Sequence, residues 1–316
     1  MVRLRFRLSG LVGRGLLATA LLVSVARPAF AQRTFRTFGN DIRYAVGDIF
    51  GVWTSPLRAD SRDWLTAAAV IGAGVAISPF DDDADRWLLD HPNSAFAKAG
   101  EPFRENYGGF KWVDLPTGRR IWRIGGTLYA LGFLLDEPGL RDAGTGCMAA
   151  QQASGVVRSF VVYELVARDR PSELVDTVGG VLVQVPAQQG DQYEVDVPGG
   201  RWEEHSFFGG HVANAWACAS FVERRFRLGA AEAIPYLFAT GMTIARSVDR
   251  RHWASDDFIG AVFGYAIGRV VARRQLERRD ERDRRNRGEA SSSPNGGLML
   301  GSGDAGSYVG WEFRFR

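Results

Sequence analysis

The chain has 316 residues, 46% hydrophobic and 24% charged, which is enough apolar material for a sizeable core and excludes a globally disordered polymer. Its formal charge is +3, but residues 1–31 hold five arginines and no acid, and residues 269–289 hold nine arginines against five acids. Taking five from +3 leaves −2, and taking off the further +4 leaves the body near −6, so the basic balance is no footprint of nucleic-acid binding.

Arg3, Arg5, Arg7 and Arg14 precede an apolar stretch over residues 15–26, and Pro28-Ala29-Phe30-Ala31 offers small residues for cleavage. This pattern predicts a secretory signal peptide cut after Ala31 and hence an exported protein. The alternative is an uncleaved anchor, for which the stretch is short against the roughly 20 residues of a span. Residues 32–59 read as an irregular or loosely helical extension. The apolar runs at residues 64–80 and 124–135 predict helices, as do residues 145–167, 206–222, 229–247 and 256–272. Charges flank the runs closely, and Gln151, Gln152, His211 and Asn214 interrupt others. The expectation is therefore a mainly α helical bundle over residues 60–272, resting on a membrane, with insertion as the alternative.

Residues 172–205 interrupt the helices. VLVQVP and QYEVDVP alternate like strands across AQQGD, which predicts an inserted β-hairpin. Residues 273–296 form a charged linker, and residues 297–316 a terminal hairpin, too few strands to close a barrel. Cys147 and Cys218 have no metal-site spacing. Pairing and two buried thiols both remain open, the thiols being the plainer reading.

Of the histidines, His211 and His252 stand in unusual surroundings. Arg168-Asp169-Arg170-Pro171 brings two guanidinium groups to a helix end, where forks suit phosphate oxygens, although arginine there also answers the helix dipole. Gly209 and Gly210 precede a helix that starts at His211, so backbone amides can approach an anion. Arg246 lies six residues before His252, and Asp256 four after it. A carboxylate at that spacing suits an imidazole's second nitrogen, and equally an N-cap shared with Ser255 and Asp257.

Taken together, RDRP, SFFGGH and ARSVDRRHWASD resemble, in order, the three signatures of the type-2 phosphatidic acid phosphatase family. That superfamily also includes bacterial acid phosphatases and vanadium haloperoxidases. The family pattern has a lysine seven residues before Arg-Pro, then Pro-Ser-Gly-His, then Ser-Arg, five residues, His, three residues and Asp. Tyr163 stands in the lysine's place, Phe208 and Gly209 replace Pro-Ser, and Ala245 replaces the serine before Arg246.

The resemblance implies a metal-independent and cofactor-free phosphatase. His252 would be the nucleophile, Asp256 its orienting carboxylate and His211 the proton donor. Arg170, Arg246, Gly209 and Gly210 would bind phosphate, with Arg168 or Tyr163 compensating for the lost lysine. Phosphorylated lipids or small phosphoesters would be the substrates, a membrane surface a partner, and nucleic acid not. The alternatives are a vanadium-dependent haloperoxidase and a non-catalytic envelope protein on a degraded scaffold.

Overall fold

A computed structural model describes residues 28–104, 118–158, 162, 167–178, 181–193, 195–196, 206–286, 298–303 and 306–311. The protein is mainly α. Its described helices are α1 (Pro28–Trp53), α2 (Ser61–Ile77), α3 (Asp81–Asp90), α4 (Ala95–Gly100), α5 (Gly118–Leu134), α6 (Pro138–Val157), α7 (Gly210–Phe226), α8 (Ala233–Val248) and α9 (Ala254–Asn286). The chain divides into two units, Met1–Ala272 and Arg273–Arg316. The second contains the end of α9 and an antiparallel hairpin of β5 (Leu298–Gly303) and β6 (Gly306–Trp311).

Two expectations are corrected in the first unit. The stretch read as irregular or loosely helical is a regular helix, α1, up to Trp53, because Ile49, Val52 and Trp53 pack against the bundle and the Trp53 indole donates to the Ala153 carbonyl at 3.2 Å. The insert does contain a hairpin, but with other partners. β3 (Val181–Gln184) pairs with the preceding β2 (Val175–Val178), and β4 (Val195–Asp196) pairs with β1 (Ala167–Arg168). Alternation marks a strand but carries no register across a chain reversal, and β2 and β3 lie closer in sequence, with Val178 paired to Val181.

The core of the first unit is built from small side chains. Ala149, Ala150 and Ala153 of α6 meet Ala217 and Phe221 of α7 and Ile267, Val271 and Ala272 of α9. Cys147 and Cys218 are joined in a disulfide between α6 and α7, so the reading as free thiols is corrected. Closing a loop of 71 residues, that bond removes about 4 kcal/mol of chain entropy from the unfolded state.

Gly260, Gly264 and Gly268 recur every four residues along α9, so they share one face. A Cβ at 264 would run into the Ala213 carbonyl, and one at 268 into the Ala217 carbonyl. Bare glycines therefore let α7 and α9 approach backbone to backbone.

Helix α3 does a different job. Its first turn carries Asp81, Asp82 and Asp83, favourable at a helix N-terminus, yet Asp81, Asp82 and Asp85 are buried. Asp85 grips the Arg250 guanidinium at 2.7 and 2.8 Å and accepts the Ala187 N–H at 3.2 Å, and Asp82 accepts the Gly190 N–H at 3.0 Å. These bonds fasten the insert and the loop before α9 to one helix.

Candidate active site

Five chain segments meet around two histidines. His211 lies in the first turn of α7, and His252 lies just before α9. Arg246 is in the last turn of α8, Arg170 follows β1, and Arg158 follows α6. The α7–α9 glycine seam holds the first two segments together: a Cβ at Gly260 would lie 3.0 Å from the Gly209 carbonyl oxygen. Arg250 adopts a left-handed backbone with φ of 54°, a cost of roughly 1 kcal/mol that its buried pair with Asp85 offsets. The turn so formed delivers His252.

His252 is buried and its Nδ1 lies 2.8 Å from the Ser206 carbonyl oxygen. A carbonyl can only accept, so Nδ1 carries the proton and Nε2 keeps its lone pair. Asp256 was expected to hold this imidazole directly. It acts one residue removed instead: the Ser206 hydroxyl donates to Asp256, while the Ser206 N–H donates to the Arg168 carbonyl at 2.7 Å. Asp256 also accepts the Trp253 N–H at 3.2 Å, so one buried carboxylate fixes both the residue that anchors His252 and the residue after it.

Arg168 is the second correction. Expected as a phosphate ligand, it is buried, with Nη1 on Asp256 at 2.7 Å and Nη2 on Asp81 at 2.8 Å, and it stacks over Trp253. Desolvated carboxylates are stable only beside such a partner, so its fork is spent inside the protein. Asp81 in turn accepts the Ser255 N–H at 2.9 Å and the Ser255 hydroxyl, which caps the start of α9.

The other arginines make a positive pocket. His211 is pushed down to about 3 by burial, then by the charges of Arg246, Arg158, Arg170 and Arg251. His252 is held well below its ordinary value by burial, then by Arg246, His211 and Arg170. Arg246 and Arg170 thus act on both histidines, and His211 acts on His252. The Glu173 carboxylate accepts the Arg170 N–H at 2.8 Å, which keeps that segment in place. Tyr163 lies outside the described residues. Among the described residues, no group of three or more His, Cys, Asp or Glu could hold a metal ion.

Residues 147–280 match the family model of the PAP2 superfamily. That stretch, 134 of the 316 residues, is similar to the PAP2 superfamily, the one the motifs resemble. No curated protein and no solved structure matches the chain significantly. The match supports a phosphatase- or haloperoxidase-type chemistry in general terms.

The chain's departures from the PAP2 pattern have structural counterparts. A Cβ at Gly209, where the pattern has serine, would stand 2.8 Å from Asp257 Oδ1 and 3.2 Å from His252 Cδ2. The Asp257 carboxyl therefore occupies space near a serine's place. Its Oδ2 accepts the Ser247 hydroxyl at 2.6 Å, and burial holds its pKa well above the usual carboxylate range. At Gly210 a Cβ would collide with the Arg158 guanidinium. Ser206 was read only as the start of SFFGGH and Asp257 only as a capping candidate, and Arg158 carried no signature that marked it in the sequence. Ser206 acts largely through its backbone, and the other two arrive from outside the motif positions.

Proposed function

We propose that this protein is a metal-independent phosphatase acting on lipid phosphates or diphosphates through a phosphohistidine on His252. The observation that carries the reading is the imidazole of His252, donating Nδ1–H to Ser206 and keeping Nε2 as a lone-pair donor among Arg170, Arg246 and His211.

In the first step Nε2 bonds to phosphorus as the phosphorus–oxygen bond to the leaving group breaks. Protonated His211 gives its proton to that oxygen. Water then attacks phosphorus, the nitrogen–phosphorus bond breaks, and the water's proton returns through His211. The sum is ester plus water giving alcohol plus phosphate. The depressed His211 is consistent with this sequence: in a site filled with cations the imidazole stays neutral, and a bound dianion offsets the arginines and lets it take up the proton it must deliver. Arg170, Arg246 and the amides at Gly209 and Gly210 stabilise the charge on the equatorial oxygens.

A lipid substrate is supported by the exterior of the helices. Trp64, Leu65, Ile71 and Val75 of α2 are exposed, as are Phe35, Phe38, Ile42, Val46 and Phe50 along one stripe of α1. The stretch Ser61–Asp90 is long and apolar enough to cross a bilayer. These faces would rest against lipid, and the disulfide suits an exported protein in an oxidising compartment.

The test is phosphate release from a panel of lipid phosphates by the full chain in detergent or vesicles, with His252→Ala alongside. A loss of about 10⁴-fold or more is expected, with an acid-labile phosphoryl group trapped only on the wild type. Equal turnover in both proteins overturns the assignment. Halide oxidation with vanadate and peroxide, without phosphate release, would point to the haloperoxidase chemistry. Neither activity from folded protein would leave a non-catalytic scaffold.

A further inference from the structure

We infer that Arg158 is a phosphate-contacting residue of this site, supplying from the end of α6 the cation that the PAP2 pattern places at position 163, where this chain has Tyr163. The inference rests on the phosphatase reading above and adds a ligand to its site.

Three observations carry it. The first is contact. The space where a Cβ at Gly210 would stand is filled by the Arg158 guanidinium, with Nη1 and Cζ nearest and Nε at 3.1 Å. Gly210 opens α7, so that guanidinium lies against the amide end of the helix that carries His211, where anions are favoured. A second cationic group beside that amide end makes sense chemically when a dianion touches both.

The second is electrostatic. Arg158 is the second of the four arginines that hold His211 down, ahead of Arg170, which the motif supplies. Coulomb interactions fall with distance, so Arg158 belongs to the same charged pocket as Arg246 and Arg170.

The third is what the alternative cation does instead. Arg168, next to the motif, is committed to Asp81 and Asp256 in the interior. The position-163 cation is therefore not replaced from β1. Arg158 stands five residues before position 163, at the turn that ends α6. Its forked guanidinium can grip two oxygens where an ammonium grips one.

The experiment compares wild type, Arg158→Ala and Arg158→Lys as full-length folded proteins. One arm measures the affinity for inorganic phosphate by the phosphate-dependent rise in Tm. The other measures kcat/KM on p-nitrophenyl phosphate across pH. Arg158→Ala is expected to weaken phosphate affinity at least about tenfold and to lower kcat/KM about 10²- to 10³-fold, as for loss of one transition-state donor. The phosphate-free Tm should stay within a few degrees, and the alkaline limb of the pH profile, where the proton donor His211 loses its proton, should move to higher pH as His211 is relieved of a cation. Arg158→Lys should recover part of the affinity, and it supplies the comparison if the alanine variant does not fold. Phosphate affinity and kcat/KM within twofold of wild type in both variants overturn the inference and leave the phosphatase reading intact. A wild type that binds phosphate through Arg158 but releases none from any ester overturns that reading instead. A wild type with no affinity for phosphate overturns both.

Discussion

The helices that carry the site and the helix at residues 61–77 treat apolar surface in opposite ways. α6, α7 and α9 bury alanine and glycine against one another, with Gly260, Gly264 and Gly268 admitting the backbone of α7. α2 contains Trp64, Leu65, Ile71 and Val75 and exposes all four; of its residues, only Gly74 is buried, against Ile259. Large apolar groups left exposed along a helix are the reverse of a water-soluble surface, where large aliphatics are buried first, as Trp253, Phe221 and Met242 are elsewhere in the unit. In an apolar medium the large groups gain nothing by turning inward, and close backbone approach through small residues holds helices together. The comparison assigns separate work to the two regions: the small-residue seam sets the distance between His211 and His252, and the bare helix meets the surroundings.

The sharpest way to break that division is Gly264→Leu. The added side chain meets the Ala213 carbonyl with no room to turn, so α7 and α9 must part. A loss of about 3 kcal/mol or more is expected, read by thermal or denaturant unfolding, together with loss of phosphate affinity as the two histidines separate.

An intermediate effect should come from pH. His211 stays neutral in the folded protein down to about 3, while in the unfolded chain it protonates near its ordinary value of about 6.5. Below that value the unfolded state binds the extra proton, so this group's contribution to stability falls as pH falls from about 6.5 toward 3. His252 acts in the same direction. Asp257, whose pKa is raised, acts in the opposite one, because the folded protein keeps a proton that the unfolded chain releases above about 4. His211→Gln isolates the first contribution: the slope of stability against pH between about 4 and 6 should be shallower than in wild type by about 1.4 kcal/mol per pH unit. Saturating phosphate should flatten the wild-type slope in the same window. Equal slopes would detach His211 from the charged pocket.

The smallest effect on folding belongs to the bare helix. Ile71→Ser with Val75→Ser on α2 should change unfolding free energy in detergent by about 0.5 kcal/mol or less, because neither side chain is buried within the protein. The same pair should weaken binding to phospholipid vesicles in flotation. A large drop in stability with unchanged vesicle binding would mean that the face packs on protein.

Much of this arrangement was legible along the chain. The helical class follows from apolar runs bounded by Pro, Gly and acids. Three short patterns in order singled out His211, His252, Arg170 and Arg246; His211 and Arg246 stand at helix ends, whereas the helix expected to end before Arg170 stops at Val157 and Arg170 follows strand β1. What escaped was partnership across the fold. Arg168 and Arg170 are two residues apart and look equivalent, yet one turns inward to Asp81 and Asp256 and the other faces the histidines. Asp256 stands at the expected distance from His252, yet reaches it through Ser206, since a carbonyl from another segment takes the Nδ1 proton first.

By itself, then, the sequence determined which residue types are available for anion chemistry and which local elements present them, since caps, periodicity and turn residues act over a few positions. Tertiary structure alone decided that Cys147 bonds Cys218, that VLVQ pairs backward, and that Arg158 reaches across bare Gly210 to the head of α7. The physical reason is reach. Long flexible side chains and unpaired strand edges take their partners from whatever packing brings within a few ångströms, and that packing is set here by glycines far from the groups they bring together.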